Sequence, residues 1–134
     1  MPNKVKYNSN LYFIVPVWGE SFCRLFLDVS LPSHLSPNNI PGLSGLDACH
    51  YHIVTLRDDK ALIEKSPAYR KLCEIMPVTI SVYEGPMDVI HDAMTECYRI
   101  GIRLADDRNV PAVMLNPDLI WADGSLTRLE QICA

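Results

Sequence analysis

Residues 78–115 read VTISVYEGPMDVIHDAMTECYRIGIRLADDRNVPAVML. Val78 to Tyr83 alternates apolar and polar side chains, the period of a strand. Gly85-Pro86 turns the chain. Ile90, Ala93, Met94, Cys97, Gly101, Leu104 and Ala105 then share one face of a helix, the strongest periodic signal in the chain. Ala112 to Leu115 is a second, short apolar run. A strand, a helix and a strand in that order predict two parallel strands joined by a right-handed crossover.

The same alternation of elements extends upstream. Leu11 to Val17 is apolar and rich in β-branched and aromatic residues, which predicts a buried strand. Gly19 allows a turn, and Phe22, Leu25, Phe26 and Val29 predict a helix over about 20–31, ended by Pro32. Pro32 to Asp47 reads as loop. Tyr51 to Leu56 is the next strand, after which Asp58 or Asp59 can cap a helix. Ser66-Pro67 predicts another helix start, followed by the apolar face of Ala68, Leu72, Ile75 and Met76. Downstream, Asn116-Pro117-Asp118 follows the fourth strand. Asp123-Gly124-Ser125 then opens a last helix carrying Leu126, Leu129 and Ile132.

The expected fold class is therefore α/β, a three-layer αβα arrangement with an open, mostly parallel sheet, in a single domain over residues 1–134. Hydrophobic residues make up 49% of the chain and charged residues 21%. Mean hydropathy is +0.06. These values exclude a disordered tail. A formal net charge of −4 argues against a nucleic-acid binder. The longest apolar run is far too short to span a bilayer. Lys4 and Lys6 precede that run, but Asn8-Ser9-Asn10 interrupts it and no small-residue cleavage site follows, so a secretory leader is not expected. The cysteines at 23, 49, 73, 97 and 133 form no C-x-x-C pair, which leaves zinc and thioredoxin-like chemistry without support. Buried free thiols of a cytoplasmic protein are the expectation.

Ligands of such sheets bind beyond the carboxyl ends of the strands. Trp18, Gly19 and Glu20 lie there after the first strand, Arg57, Asp58 and Asp59 after the second, and Glu84 and Gly85 after the third. Asn116, Asp118 and Asp123 follow the fourth. There is no glycine-rich dinucleotide or P-loop motif and no G-x-S-x-G elbow. Bound phosphate would need a metal ion to offset its charge, and an acidic rim suits a hard divalent cation. Asn116 and Asp118 stand two apart, so an extended chain points both the same way. A turn, a helix cap and a first-turn charge are the plainer readings of Asn116-Pro117-Asp118, Asp123 and Asp58-Asp59. Trp18 can stack on a base or pack as a half-buried ring. His34, His50, His52 and His91 have no partner at ligand spacing.

The order of these pieces resembles the nucleotide-binding half of GT-A-type glycosyltransferases of glycosyltransferase family 2. Four segments over about residues 10 to 133 carry the resemblance. Phe13-Ile-Val-Pro-Val-Trp-Gly19 is similar to the opening strand and turn that seat the nucleotide. Ile53-Val-Thr-Leu-Arg-Asp-Asp59 is similar to the strand whose terminal acid touches base or ribose. Tyr98-Arg-Ile-Gly-Ile-Arg-Leu-Ala105 resembles the R-N-x-G-x-x-x-A helix, with Tyr98-Arg99 where the family has Arg-Asn. Val113-Met-Leu-Asn-Pro-Asp118 with Ala122-Asp-Gly-Ser-Leu126 resembles the D-x-D strand and its helix, with Asn116 in place of the first Asp.

The resemblance implies binding of a nucleotide-diphosphate sugar, with Pro16, Trp18, Glu20, Asp58, Asp59 and Arg99 toward the nucleotide. It also implies a divalent Mg²⁺ or Mn²⁺ ion at Asn116 and Asp118. The family's catalytic domain is considerably longer, and its second half carries the acceptor cleft and the general base. Donor binding is thus expected of this chain, read as a half-domain that stops at Ala134, and glycosyl transfer is not assigned to it alone. Two alternatives use the same scaffold: a non-catalytic interaction module, which a free sheet edge would let pair with itself, and a flavodoxin-like or receiver-type domain. The latter wants an acid at the end of a middle strand, where this chain has Tyr83-Glu84.

Overall fold

The computed structural model describes residues 10–133. Lys4 and Lys6, where a leader would begin, lie outside the described residues, as does Ala134. The sheet has four strands, β1 (Tyr12–Pro16), β2 (His50–Thr55), β3 (Val78–Val82) and β4 (Ala112–Met114). Their order is β3-β2-β1-β4. Every pair is parallel, with Tyr12 opposite both His50 and Ala112, and Tyr51 opposite Val78. The chain steps outward from β1 to β2 to β3 and then returns to the other flank of β1. All five residues of β1 are buried, because it has a strand on each side and helices on each face.

The helical connections are those the alternation predicts, with two corrections. The first helix does not stop at Pro32. It runs as α1 (Glu20–Leu25), a π-helical turn (Phe26–Ser30) and α2 (Leu31–His34). Pro32 has no N–H and its ring would press on the carbonyl four residues back. The wide turn, in which Leu31 N–H bonds to Phe26 O, lets the chain pass. The face also differs from the predicted Phe22, Leu25, Phe26 and Val29. Cys23, Phe26, Leu27, Ser30 and Leu31 are buried, whereas Phe22, Leu25 and Val29 are exposed. α3 (Arg57–Glu64) and α4 (Pro67–Ile75) join β2 to β3, α5 (Ile90–Asp107) joins β3 to β4, and α6 (Ser125–Cys133) closes the chain.

Ser66 caps α4 as expected, accepting from Tyr69 N–H at 3.4 Å. Asp58 and Asp59 do not cap α3. Leu56 occupies that position, and the two acids lie in the first turn, where they face the positive end of the helix dipole. Of the thiols, Cys23, Cys49 and Cys97 are buried, but Cys73 is exposed.

The two faces of the sheet differ. Leu11, Phe13, Val15 and Val17 project into the larger core with Phe26, Leu31, Ile63, Leu72 and Leu126 from the surrounding helices. Tyr12 and Ile14 face α5. α5 meets the sheet along Ala93, Cys97, Gly101 and Ala105, one small buried residue per turn. Gly101 is required there: a β-carbon would fall 2.5 Å from Ile14 Cγ1.

Beyond α5, this second face turns polar. Tyr12 Oη lies 2.8 Å from His52 Nδ1, and His52 Nε2 lies 2.7 Å from Ser81 Oγ. His50 Nε2 contacts Thr79 Oγ1 at 2.7 Å. The ring of Tyr12 stacks on His50, and Arg108 sits over Tyr12. His50 and His52 thus tie the strands together through their side chains. On the opposite face, His34 Nδ1 meets the Tyr51 hydroxyl at 2.9 Å.

Two expectations follow for stability. Gly101→Ala should lower it by about 1–2 kcal/mol, overpacking outweighing the gain in helix propensity. An increase in thermal midpoint would show that α5 is not pressed on Ile14. Burial, with His50 and Arg108 nearby for His52, pushes both His34 and His52 down to about 4 from 6.5. The unfolded chain therefore takes up protons below about pH 6.5 that the folded chain refuses until about pH 4. Denaturant midpoints should be level between about pH 7 and 8 and fall through that window, and His52→Gln should make the fall shallower. A profile flat from pH 7 to 4.5 would contradict the neutral, buried imidazoles.

Candidate functional site

The return of the chain from β3 to the far flank of β1 makes a switch point between β1 and β4. The chain leaving β1 and the chain leaving β4 both pass to the face of the larger core, whereas α5 enters β4 from the other face, and a crevice opens beyond the carboxyl ends of the two strands. A cleft of about 590 Å³ occupies it. Its lining comes from Pro16, Val17 and Trp18 after β1, Phe22 on α1, Ile90 and Met94 at the start of α5, and Asn116 to Leu119 after β4.

The chain beyond β4 remains alternating: Val113, Leu115 and Pro117 are buried, while Met114, Asn116 and Asp118 are exposed. Pro117 holds Asn116 extended. The strand does not continue to Asp118: Pro117 and Asp118 lie in a turn, the plainer reading of this segment, in which Leu119 N–H lies 3.5 Å from the Asn116 carbonyl, and Asn116 and Asp118 both line the cleft. Tyr98, on α5, joins them. Its hydroxyl oxygen lies 2.7 Å from the Leu115 carbonyl and 3.1 Å from Asn116 Oδ1. Burial, then the nearby charge of Asp118, pushes the Tyr98 phenol up.

The other residues predicted for the site lie outside this lining. Asp59 is committed to the turn after β1: its Oδ2 accepts from Gly19 N–H at 2.9 Å. Gly19 has φ +83°, open to glycine and strained for most other residues. Asp58 is exposed on the same rim. Glu20 pairs with Arg24 at 2.9 Å on the exposed side of α1. Arg57 and Glu84 form an ion pair across the ends of β2 and β3. Arg99 pairs with Glu96 and lines a separate groove with Thr95, Tyr98, Ile102 and Met114, beside the free edge of β4. His91 is exposed on α5.

Asp123 has a structural task that its D-G-S setting did not disclose. Its carboxylate accepts from the backbone N–H and the side-chain amide of Asn38, both at 2.8 Å. These bonds hold the carboxyl below the usual range. Asn39, fully buried, donates to Ser33 O at 2.9 Å and Ala122 O at 3.2 Å and accepts from Leu126 N–H at 3.0 Å. Ser30 Oγ donates to Leu119 O at 2.6 Å. The segment after Asp118 has no regular structure, and these bonds fasten it to the π-helical turn and the loop after α2.

Four apolar wall residues were read in sequence as core or linker. Phe22 is 56% exposed, Ile90 62% and Leu119 48%, and Met94 is half-buried. Helical periodicity finds an apolar stripe but not where the layer beneath it ends. Phe22 and Ile90 stand at that end.

Among the described residues, no three of His, Cys, Asp and Glu come together as a metal cage. No helix among them is long and apolar enough to cross a membrane. Among the described residues, the cleft lining contains one carboxylate, one carboxamide, an indole and apolar walls, and no lysine or arginine. No family model, curated protein or solved structure matches the chain.

Proposed function

We propose that this chain binds a nucleotide-diphosphate sugar together with Mg²⁺ or Mn²⁺, as the donor-binding part of a GT-A-type glycosyltransferase. The observation that carries the reading is that Asn116 and Asp118 line one cleft at the switch point together with Trp18. A diphosphate beside Asp118 meets a carboxylate and, among the described residues, no basic side chain, which favours a cation to offset its charge. The donor set fits one. Mg²⁺ is ordinarily held by one or two carboxylates plus substrate phosphates and water. Here Asp118 would supply the charge and the Asn116 amide a neutral oxygen. When bound, such an ion stabilises the departing nucleoside diphosphate. Trp18 offers a flat apolar surface to base or sugar, and Phe22, Ile90, Met94 and Leu119 keep water from the cleft walls.

The five free thiols support a reducing, cytosolic setting. Among the described residues no strand pairs with the outer edge of β4, where Met114 is exposed, and this supports pairing with a second copy. The apolar walls favour one second reading, in which the cleft docks a segment of another protein and no sugar donor.

Thermal unfolding with UDP-sugars and GDP-sugars, with and without Mn²⁺, separates the two readings. At a hundred times its dissociation constant, one nucleotide class should stabilise the fold by about 2.7 kcal/mol. EDTA or Asp118→Ala should abolish the effect, and Asp118 is exposed, so the variant keeps its fold. No response to any donor would contradict donor binding and favour the docking reading. Light scattering should give the mass of a dimer; a monomer at high concentration would contradict edge pairing.

A further inference from the structure

β4 is an outer strand, and its outer side can be read bond by bond. Tyr12 N–H bonds to Pro111 O, and Leu115 N–H to Ile14 O. With Tyr12 opposite Ala112 and Ile14 opposite Met114, the strand turns the N–H and C=O of Val113 toward β1. Ala112 and Met114 turn theirs the other way, and among the described residues no strand takes them. Their side chains lie on the face of α5. Met114 stands there at the wall of a groove of about 440 Å³ shared with Thr95, Tyr98, Arg99 and Ile102. From Val110 to Asn116 the chain carries no charged residue of the kind that keeps an edge strand single.

We propose that β4 pairs antiparallel with β4 of a second copy about a two-fold axis at Val113, joining two four-stranded sheets into one of eight strands. In that register Ala112 stands opposite Met114 of the second copy, and Met114 opposite its Ala112. Each such pair exchanges two N–H···O bonds, four in all, so every outward group of the two residues is used. Moving the axis to Ala112 or to Met114 keeps only two of these bonds. Others would have to come from Val110, whose N–H is bonded to Ala105 O, or from Asn116, whose carbonyl lies 3.5 Å from Leu119 N–H. Pro111, which has no N–H, and Pro117 bound the stretch. The side chains agree with this register: the exposed Met114 of each copy meets the small Ala112 of the other, beside the groove at Ile102. A strand that is its own complement in one register fits a second copy of the same chain. This interface specifies the edge pairing proposed for β4 and is independent of what the cleft binds.

The test is self-association, followed by sedimentation over a range of concentrations, for the unaltered chain, Ala112→Pro and Met114→Lys. Proline at 112 removes only an outward N–H and leaves the bonds to β1 in place. Lysine at 114 sets a cation from each copy beside the axis. The unaltered chain should be a dimer. Each variant should weaken it about tenfold, the scale of two lost hydrogen bonds for the proline, with the circular dichroism unchanged. The amides of Ala112 and Met114 should resist hydrogen exchange in the dimer and lose that protection on dilution. Oxidation of mixed Ala112→Cys and Met114→Cys chains should join the two substituted positions, whose Cα atoms stand about 5.5 Å apart in a hydrogen-bonded pair. A monomer at every concentration, a dimer that neither variant weakens, or a disulfide that forms faster between two chains of one variant overturns the proposal. So does a monomer in which both amides are protected, since the chain itself then covers the edge. Stabilisation by UDP-sugars and GDP-sugars is read separately: its absence defeats the donor reading and leaves this interface standing.

Discussion

The structure depends on β4 hydrogen-bonding to β1 and not continuing beyond β3. That pairing buries β1 on all sides, brings α5 across the face opposite α1, and leaves a crevice beyond the carboxyl ends of β1 and β4. The close seat of α5 makes the pairing possible. With Ala93, Cys97, Gly101 and Ala105 against the sheet, the helix lies near enough for Tyr98 to reach the chain leaving β4. The site is therefore a consequence of topology first and of side chains second.

Its chemistry is set by scarcity of charge. One exposed carboxylate, one carboxamide and no basic group stand in a cleft whose walls are apolar. Such a lining does not hold a bare diphosphate. It can hold a cation that brings its own phosphate oxygens, and the indole and aliphatic walls can cover the less polar parts of the same ligand. Two other acids after the strands are engaged in building the fold. Asp59 secures the Gly19 turn and Asp123 fastens Asn38, each through backbone N–H groups that would otherwise lack a partner.

Sheet composition and element order were legible because periods of 2.0 and 3.6 dominate the chain, and each apolar run became a strand near its expected bounds. The turn at Asn116-Pro117-Asp118 was legible too, from the Asn-Pro pair and the aspartate that follows it. What escaped the sequence were properties of tertiary neighbours. Pro32 looked like an end, yet a π-helical turn carries the helix past it. Ile90 and Phe22 carried core periodicity but stand where the layers stop. His50 and His52 looked like a polar start to a strand, yet their partners are Thr79, Tyr12 and Ser81 on neighbouring strands. Asn39 gave no local sign of its role, since its partners lie as far away as Ala122 and Leu126.

The central claim is that a divalent ion carrying a nucleoside diphosphate binds between β1 and β4 at Asn116 and Asp118. Paramagnetic broadening of backbone amide resonances by substoichiometric Mn²⁺ with UDP or GDP tests it most directly. The account predicts loss of signal first at Val17, Trp18, Leu115, Asn116, Asp118 and Leu119. Broadening centred instead on Asp88, Asp92 and Glu96 along α5, or unchanged by the nucleotide, would contradict it.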